Sequence, residues 1–226
     1  MSGKLYGLGI GPGDPELITL KAKRLLEEAD IIFFPGSIPE DTVAYKIVTG
    51  AVDTSKKELV GIPFPMTKDR KVLAENHRAG ASKIEEYLNK GKTAVFPTLG
   101  DTTMYATYMY VHKLVAADGY DTEIVPGVPS FCAAAAKLND SLVERNEELH
   151  VIPSSYGVTE ALHLSGTKVF MKAGSKFKEV LAEAKQSGQH ICVLENVGME
   201  NERIYKDPGD DIEAGYYTLI IVKETE

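Results

Sequence analysis

The chain has 226 residues, 43% of them hydrophobic and 26% charged, with a net charge of −8. That is the balance of a globular protein large enough for one large or two small domains. The negative charge speaks against nucleic acid or an anionic membrane as partner, because phosphate binding wants a basic surface, and no run reaches the ~18 apolar residues of a membrane span. With no charged and apolar leader, the expected location is the cytoplasm. Cys132 and Cys192 sit in the apolar runs FCAAAA and HICVLE without metal-ligand spacing. They are read as reduced core residues, and no metal site is expected.

In chain order, KLYGLGI (residues 4–10) reads as a buried strand, followed by GPGD and Pro15. Over residues 16–29 the apolar positions Ile18, Ala22, Leu25, Leu26 and Ala29 fall at helical spacing. Asp14 can cap that helix and Pro15 suits its first position. IIFFP (31–35) is a second strand, residues 39–49 a helix, LVGIPFP (59–65) a third strand and residues 68–89 a helix. TAVFP makes a fourth strand. The stretch PTLGDTTMYATYMYV (97–111) then leads into a helix with Met104, Tyr108, Val111 and Val115 on one face, stopping at Asp118-Gly119. TEIVPG (122–127) is a fifth strand.

Strands alternating with helices predict a mostly parallel sheet covered on both faces. The second half differs. ELHVIPS, TKVFMKA, HICVLEN, ERIYK and YYTLIIVKE read as strands, with helices near residues 158–164 and 176–187. The last strands leave no room for crossover helices, so they are expected to pair antiparallel in a mixed sheet. The fold expected is α/β in two domains, residues 1–126 and 127–226.

Three loops, GPGDP (11–15), LGDTT (99–103) and PGVPS (126–130), each follow an apolar strand and precede a helix. In a parallel sheet those joints lie at the carboxyl ends of the strands, where open α/β sheets bind ligands. The glycine run is not the dinucleotide fingerprint: from Gly7 the sixth position is Pro12, and from Gly9 it is Asp14. The full phosphate-binding-loop pattern Gly-x4-Gly-Lys-Ser/Thr is absent, since Gly91-Lys92-Thr93 has Glu86 where that pattern needs its first glycine. Asp14 and Asp101 can each be a helix cap, and Thr102 and Thr103 can cap the helix after their loop, leaving Asp101 for a ligand.

YGLGIGPGDPELITLKA, TLGDTTMYATYMYV and VPGVPSFCAAAAKL together resemble the tetrapyrrole methylase family, along the whole chain and including VFMKAG (169–174), ENVG (195–198) and YYTLIIVKE. TLGDxxxYxTYMYV and MKAG are most similar to the precorrin-2 and cobalt-factor II C-20 methyltransferases. Family members usually read Gly-Asp-Pro where this chain has Gly100-Asp101-Thr102.

The resemblance implies a homodimeric enzyme that uses S-adenosylmethionine, leaving S-adenosylhomocysteine. Cofactor and substrate would occupy a cleft between the domains. The positions matching cofactor contacts are Pro12, Gly100, Asp101, Thr102, Thr103, Met104, Ser130, Phe131, Met171 and, loosely, Val197. Asp101 is also the candidate base. Lys172, Tyr105 and Arg70 are candidates for the carboxylate-rich tetrapyrrole, precorrin-2 or cobalt-factor II. The alternatives are methylation at another ring position and a module that senses the cofactor without turnover.

Overall fold

The computed structural model describes residues 2–153, 158–172, 176–186, 188–209 and 211–224. Ser154, Ala173, Gly174 and Ser187, which fall in the expected elements and motifs, lie outside the described residues. The chain divides into two compact units, Met1–Pro129 and Ser130–Glu226.

The first unit is a parallel sheet of β1 (Lys4–Gly9), β2 (Ile31–Pro35), β3 (Glu58–Ile62), β4 (Ala94–Thr98) and β5 (Asp121–Val125), in the order β3-β2-β4-β1-β5. Its helices are α1 (Leu20–Glu28), α2 (Val43–Ala51), α3 (Arg70–Leu88) and α4 (Tyr108–Ala117). The run Ile31 to Phe34 is apolar throughout because both faces are covered. Ile32 and Phe34 pack in the core with α1 and α2, and Ile31 and Phe33 in the core with α3 and α4. The strand order reverses at β1: the chain leaves it for β2 and β3, then returns to place β4 and β5 on its two sides. The loops after β4, β1 and β5 are therefore neighbours.

Element boundaries differ from expectation where side chains bond elsewhere. Asp14 does accept from the Glu16 amide at 2.9 Å, but it caps only a 3-10 turn, Pro15–Leu17. Thr19 caps α1 through the Ala22 amide at 3.2 Å. β3 stops at Ile62, since Pro63 and Pro65 have no N–H for a ladder. α4 begins only at Tyr108, and its N-cap Thr107 makes no side-chain capping bond. Thr102 and Thr103 are thus not caps.

The second unit contains α5 (Ser130–Leu138), β6 (Leu149–Pro153), α6 (Val158–Leu162), β7 (Thr167–Met171), α7 (Phe177–Gln186), β8 (His190–Glu195), β9 (Arg203–Lys206) and β10 (Thr218–Lys223). The sheet order is β6-β7-β10-β8-β9; β6 and β7 pair parallel and the other neighbours antiparallel, the mixed sheet expected. The cysteines correct the sequence reading, for Cys132 is exposed and Cys192 half-buried. On α5 the inward face is carried by Phe131, Ala134 and Ala135. On β8 Ile191 and Val193 fill the core under α6 and α7, so Cys192 points to the other face.

Candidate functional site

The three glycine loops are fused at the carboxyl edge of the first sheet. Gly11 and Gly100 exchange main-chain hydrogen bonds, N–H to O at 3.2 Å and 2.8 Å, as an antiparallel bridge between the loops after β1 and β4. Gly100 adopts φ +71°, a conformation that glycine reaches without steric cost.

The loops after β4 and β5 are joined by side chains. Asp101 is 8% exposed. Its Oδ1 accepts from the Thr103 amide at 2.8 Å and the Thr103 hydroxyl at 2.5 Å, and its Oδ2 accepts from the Gly127 amide at 2.9 Å. Thr102 is fully buried, and its hydroxyl donates to the Val125 carbonyl at 3.1 Å. A Cβ on Gly127 would lie 2.3 Å from the Gly100 oxygen. Here glycine lets loop approach loop.

This environment sets the charge of Asp101. Burial pushes its carboxyl upward, but the bonds from the Thr103 hydroxyl and the Gly127 and Thr103 amides outweigh that, and its pKa lies below the usual aspartate value. Asp101 is held as an anion whose two oxygens both face fixed donors.

Of the sequence candidates in the first unit, buried Pro12 adjoins the Gly11–Gly100 bridge and continues the fused loops. Beyond Asp101, Thr103 is exposed and Met104 half-buried. Tyr105 follows at φ +52° and is 43% exposed. Arg70 opens α3, exposed, next to its cap Asp69, which accepts from the Lys71 and Val72 amides. β2 separates the strand before Arg70 from β4, while α3, which Arg70 opens, packs against α4 through His77 and Tyr110.

In the second unit Ser130 and Phe131 open α5, Ser130 half-buried and Phe131 buried. β7 and β8 both run antiparallel to β10, so both end at one edge of that sheet. Met171 closes β7 there, and buried Val197 lies two residues past β8. Lys172 is exposed at φ +56°. Left-handed backbone at a residue such as Tyr105 or Lys172 costs of order 1 kcal/mol and clusters at functional segments.

The sequence reading took Glu195 only as the first residue of ENVG and not as a candidate site residue. Glu195 ends β8 at 5% exposure, and its Oε1 accepts from the Gly215 amide at 2.8 Å and the Thr218 hydroxyl at 3.1 Å. A carboxylate closing the apolar run HICVLE was the available signal. Among the described residues no group of three or more His, Cys, Asp or Glu side chains could hold a metal ion, and no helix is long and apolar enough to cross a membrane.

A five-stranded parallel sheet with its loops interlocked at the switch point, followed by a mixed five-stranded sheet, defines a class of two-unit α/β proteins. Residues 4–213 match the model of the Tetrapyrrole (Corrin/Porphyrin) Methylases, and the chain belongs to that family. It is 33% identical to the probable cobalt-precorrin-2 C(20)-methyltransferase of Methanocaldococcus jannaschii, over 97% of this chain and 96% of that one. It is 32% identical to the cobalt-precorrin-2 C(20)-methyltransferase of Salmonella typhimurium, over 99% and 98%. The fold is shared with a solved cobalt precorrin-4 methyltransferase at a TM-score of 0.75 and 23% identity, covering 97% of this chain and 94% of that one. It is also shared with the uroporphyrin-III C-methyltransferase of Thermus thermophilus complexed with S-adenosylhomocysteine, at a TM-score of 0.69 and 20% identity over 98% of both chains.

Proposed function

We propose that the protein transfers a methyl group from S-adenosylmethionine to the C-20 meso carbon of precorrin-2 or cobalt-factor II in corrin synthesis. The observation that carries this reading is the interlocking of Gly11, Gly100, Asp101 and Gly127, which makes one rigid edge from three loops. The named relatives support the ring position. The C-20 enzymes of Methanocaldococcus and Salmonella align over 96% and 98% of their length. A cobalt-precorrin-4 C(11)-methyltransferase of Priestia megaterium is equally 33% identical but aligns over 85% of its length.

The residues fit a sulfonium donor. Pro12, Gly100 to Met104, Ser130, Phe131, Met171 and Val197 would hold it. Apart from Asp101 they are uncharged, and Asp101 has its negative charge compensated by three donors. Nothing in the set repels a positive sulfur. S-adenosylmethionine, when bound, would supply the electrophilic methyl and leave as a neutral thioether; the positive charge passes from sulfur to the methylated macrocycle and departs with the C-20 proton.

The share of the protein is alignment. The fused loops give main-chain groups of fixed direction, and in this reading Met104, Phe131, Met171 and Val197 would offer the donor apolar side chains that do not oppose the departure of positive charge from sulfur. The role of Asp101 in this reading is to hold those loops as an anion. Three donors already engage its carboxylate and hold its pKa below the usual aspartate value, which favours the anion over the protonated form. Lys172 and Arg70 would meet substrate carboxylates, and the exposed Tyr105 ring an apolar part of the macrocycle. A homodimer in the cytoplasm completes the reading.

Two assays test it. S-adenosylhomocysteine should give measurable heat of binding in calorimetry; none at high micromolar ligand contradicts the donor site. Labelled donor should yield methylated product with precorrin-2 or cobalt-factor II and none with uroporphyrinogen III. Binding without turnover on any of the three would mark a sensing module.

A further inference from the structure

Two consecutive side chains, Asp101 and Thr102, reach from the loop after β4 to the two residues that flank Pro126. Asp101 takes the Gly127 amide, and Thr102 gives its hydroxyl proton to the Val125 carbonyl. A single tether would leave the loop a pivot; two tethers on either side of a proline remove it. Thr102 is fully buried and Val125 is 1% exposed, so this bond lies away from water, where losing the donor leaves a buried carbonyl unpaired. Thr102 is thereby enclosed as a whole residue, and the segment comes to the surface only beyond it, at exposed Thr103 and half-buried Met104.

We propose that Thr102 is a positioning residue for the methyl donor: its hydroxyl, bonded to Val125, sets the direction of the main-chain groups of Gly100 to Met104 and touches no ligand itself. The proposal rests on the reading that these loops hold S-adenosylmethionine. Thr102 acts through Val125, and the surface offered to the donor is that of the residues beyond it, Thr103 and Met104.

The test compares Thr102→Val, which keeps the shape and removes the hydroxyl, with Thr102→Ser, which keeps the hydroxyl. Thr167→Val is the control. Thr167 is 2% exposed and its hydroxyl also donates to a main-chain carbonyl, that of Leu142 at 2.6 Å, in the other unit. The ligand is S-adenosylhomocysteine, followed by calorimetry on the full chain, with the melting temperature of every variant measured alongside. Loss of the Thr102 hydroxyl is expected to raise the Kd roughly tenfold, the worth of one buried hydrogen bond. Thr102→Ser should stay within about threefold of the parent, since it keeps that bond. Thr167→Val should lower the melting temperature and leave the Kd unchanged.

Equal affinity in Thr102→Val and the parent overturns the proposal. So does a serine variant as weak as the valine one, or a control that loses as much affinity as Thr102→Val. A parent protein that binds no S-adenosylhomocysteine overturns the donor reading instead, and the proposal falls with it.

Discussion

The amide of Gly127 donates to Oδ2 of Asp101 at 2.9 Å across 26 residues of sequence, while Oδ1 of the same carboxylate is taken by Thr103. Asparagine has one oxygen and one NH2, so Asp101→Asn can satisfy only one side and turns a donor toward a donor on the other. The variant should lose about 1–3 kcal/mol of stability, the cost of leaving a buried group unpaired.

The loss should depend on pH. The native carboxyl titrates below its ordinary value, so its stabilisation is present above the unfolded pKa of about 3.9 and is lost as pH falls through the lower native value. Urea unfolding of parent and variant should differ most above about pH 4 and converge below it; a difference that grows with acid contradicts this account.

Thr98, the last residue of β4, has a buried hydroxyl without a hydrogen-bond partner among the described residues. Thr98→Val replaces it with a methyl of the same size. Removing an unsatisfied buried polar group should leave stability unchanged or raise it by about 1 kcal/mol. A scanning calorimetry run in which the melting temperature falls would mean that the hydroxyl has a partner after all.

His77 on α3 is 9% exposed and lies flat against Tyr110 of α4, ring centroids 4.8 Å apart and planes 4° from parallel, with Phe64 at 5.9 Å. Burial lowers its pKa. As pH falls below about 6.5 the unfolded chain binds a proton before the native one does, so native stability drops over that interval and levels off below the native pKa. His77→Phe keeps a ring against Tyr110 and removes the titration. Its stability should change less between pH 7 and pH 5 than that of the parent; an identical slope would place the acid sensitivity elsewhere.

Much of the first sheet was legible because its signals are local. The IIFFP run, the helical spacing after residue 18 and the turns at glycine each report their own few residues, and a covered parallel sheet follows from their alternation. That the loops after β1, β4 and β5 sit at one edge was also legible, as a consequence of parallel strands. What the loops do to one another was not. The partner of Asp101 is 26 positions away and that of Thr102 is 23 away, and no periodicity carries such pairings. For that reason Thr102 and Thr103 read as caps, and α4 starts later than its apolar spacing suggests. Cys132 was misjudged because alanines on every side of α5 hide which face is inward. Thr102 ties its loop by a hydrogen bond to the Val125 carbonyl.

The position of the new methyl group tests the central claim most directly. Parent protein, S-adenosylmethionine labelled with 13C in its methyl group, and precorrin-2 or cobalt-factor II are incubated together, and the product is examined by NMR. The account predicts the labelled carbon attached to C-20. A label at any other ring carbon, or none incorporated into either tetrapyrrole, would contradict it.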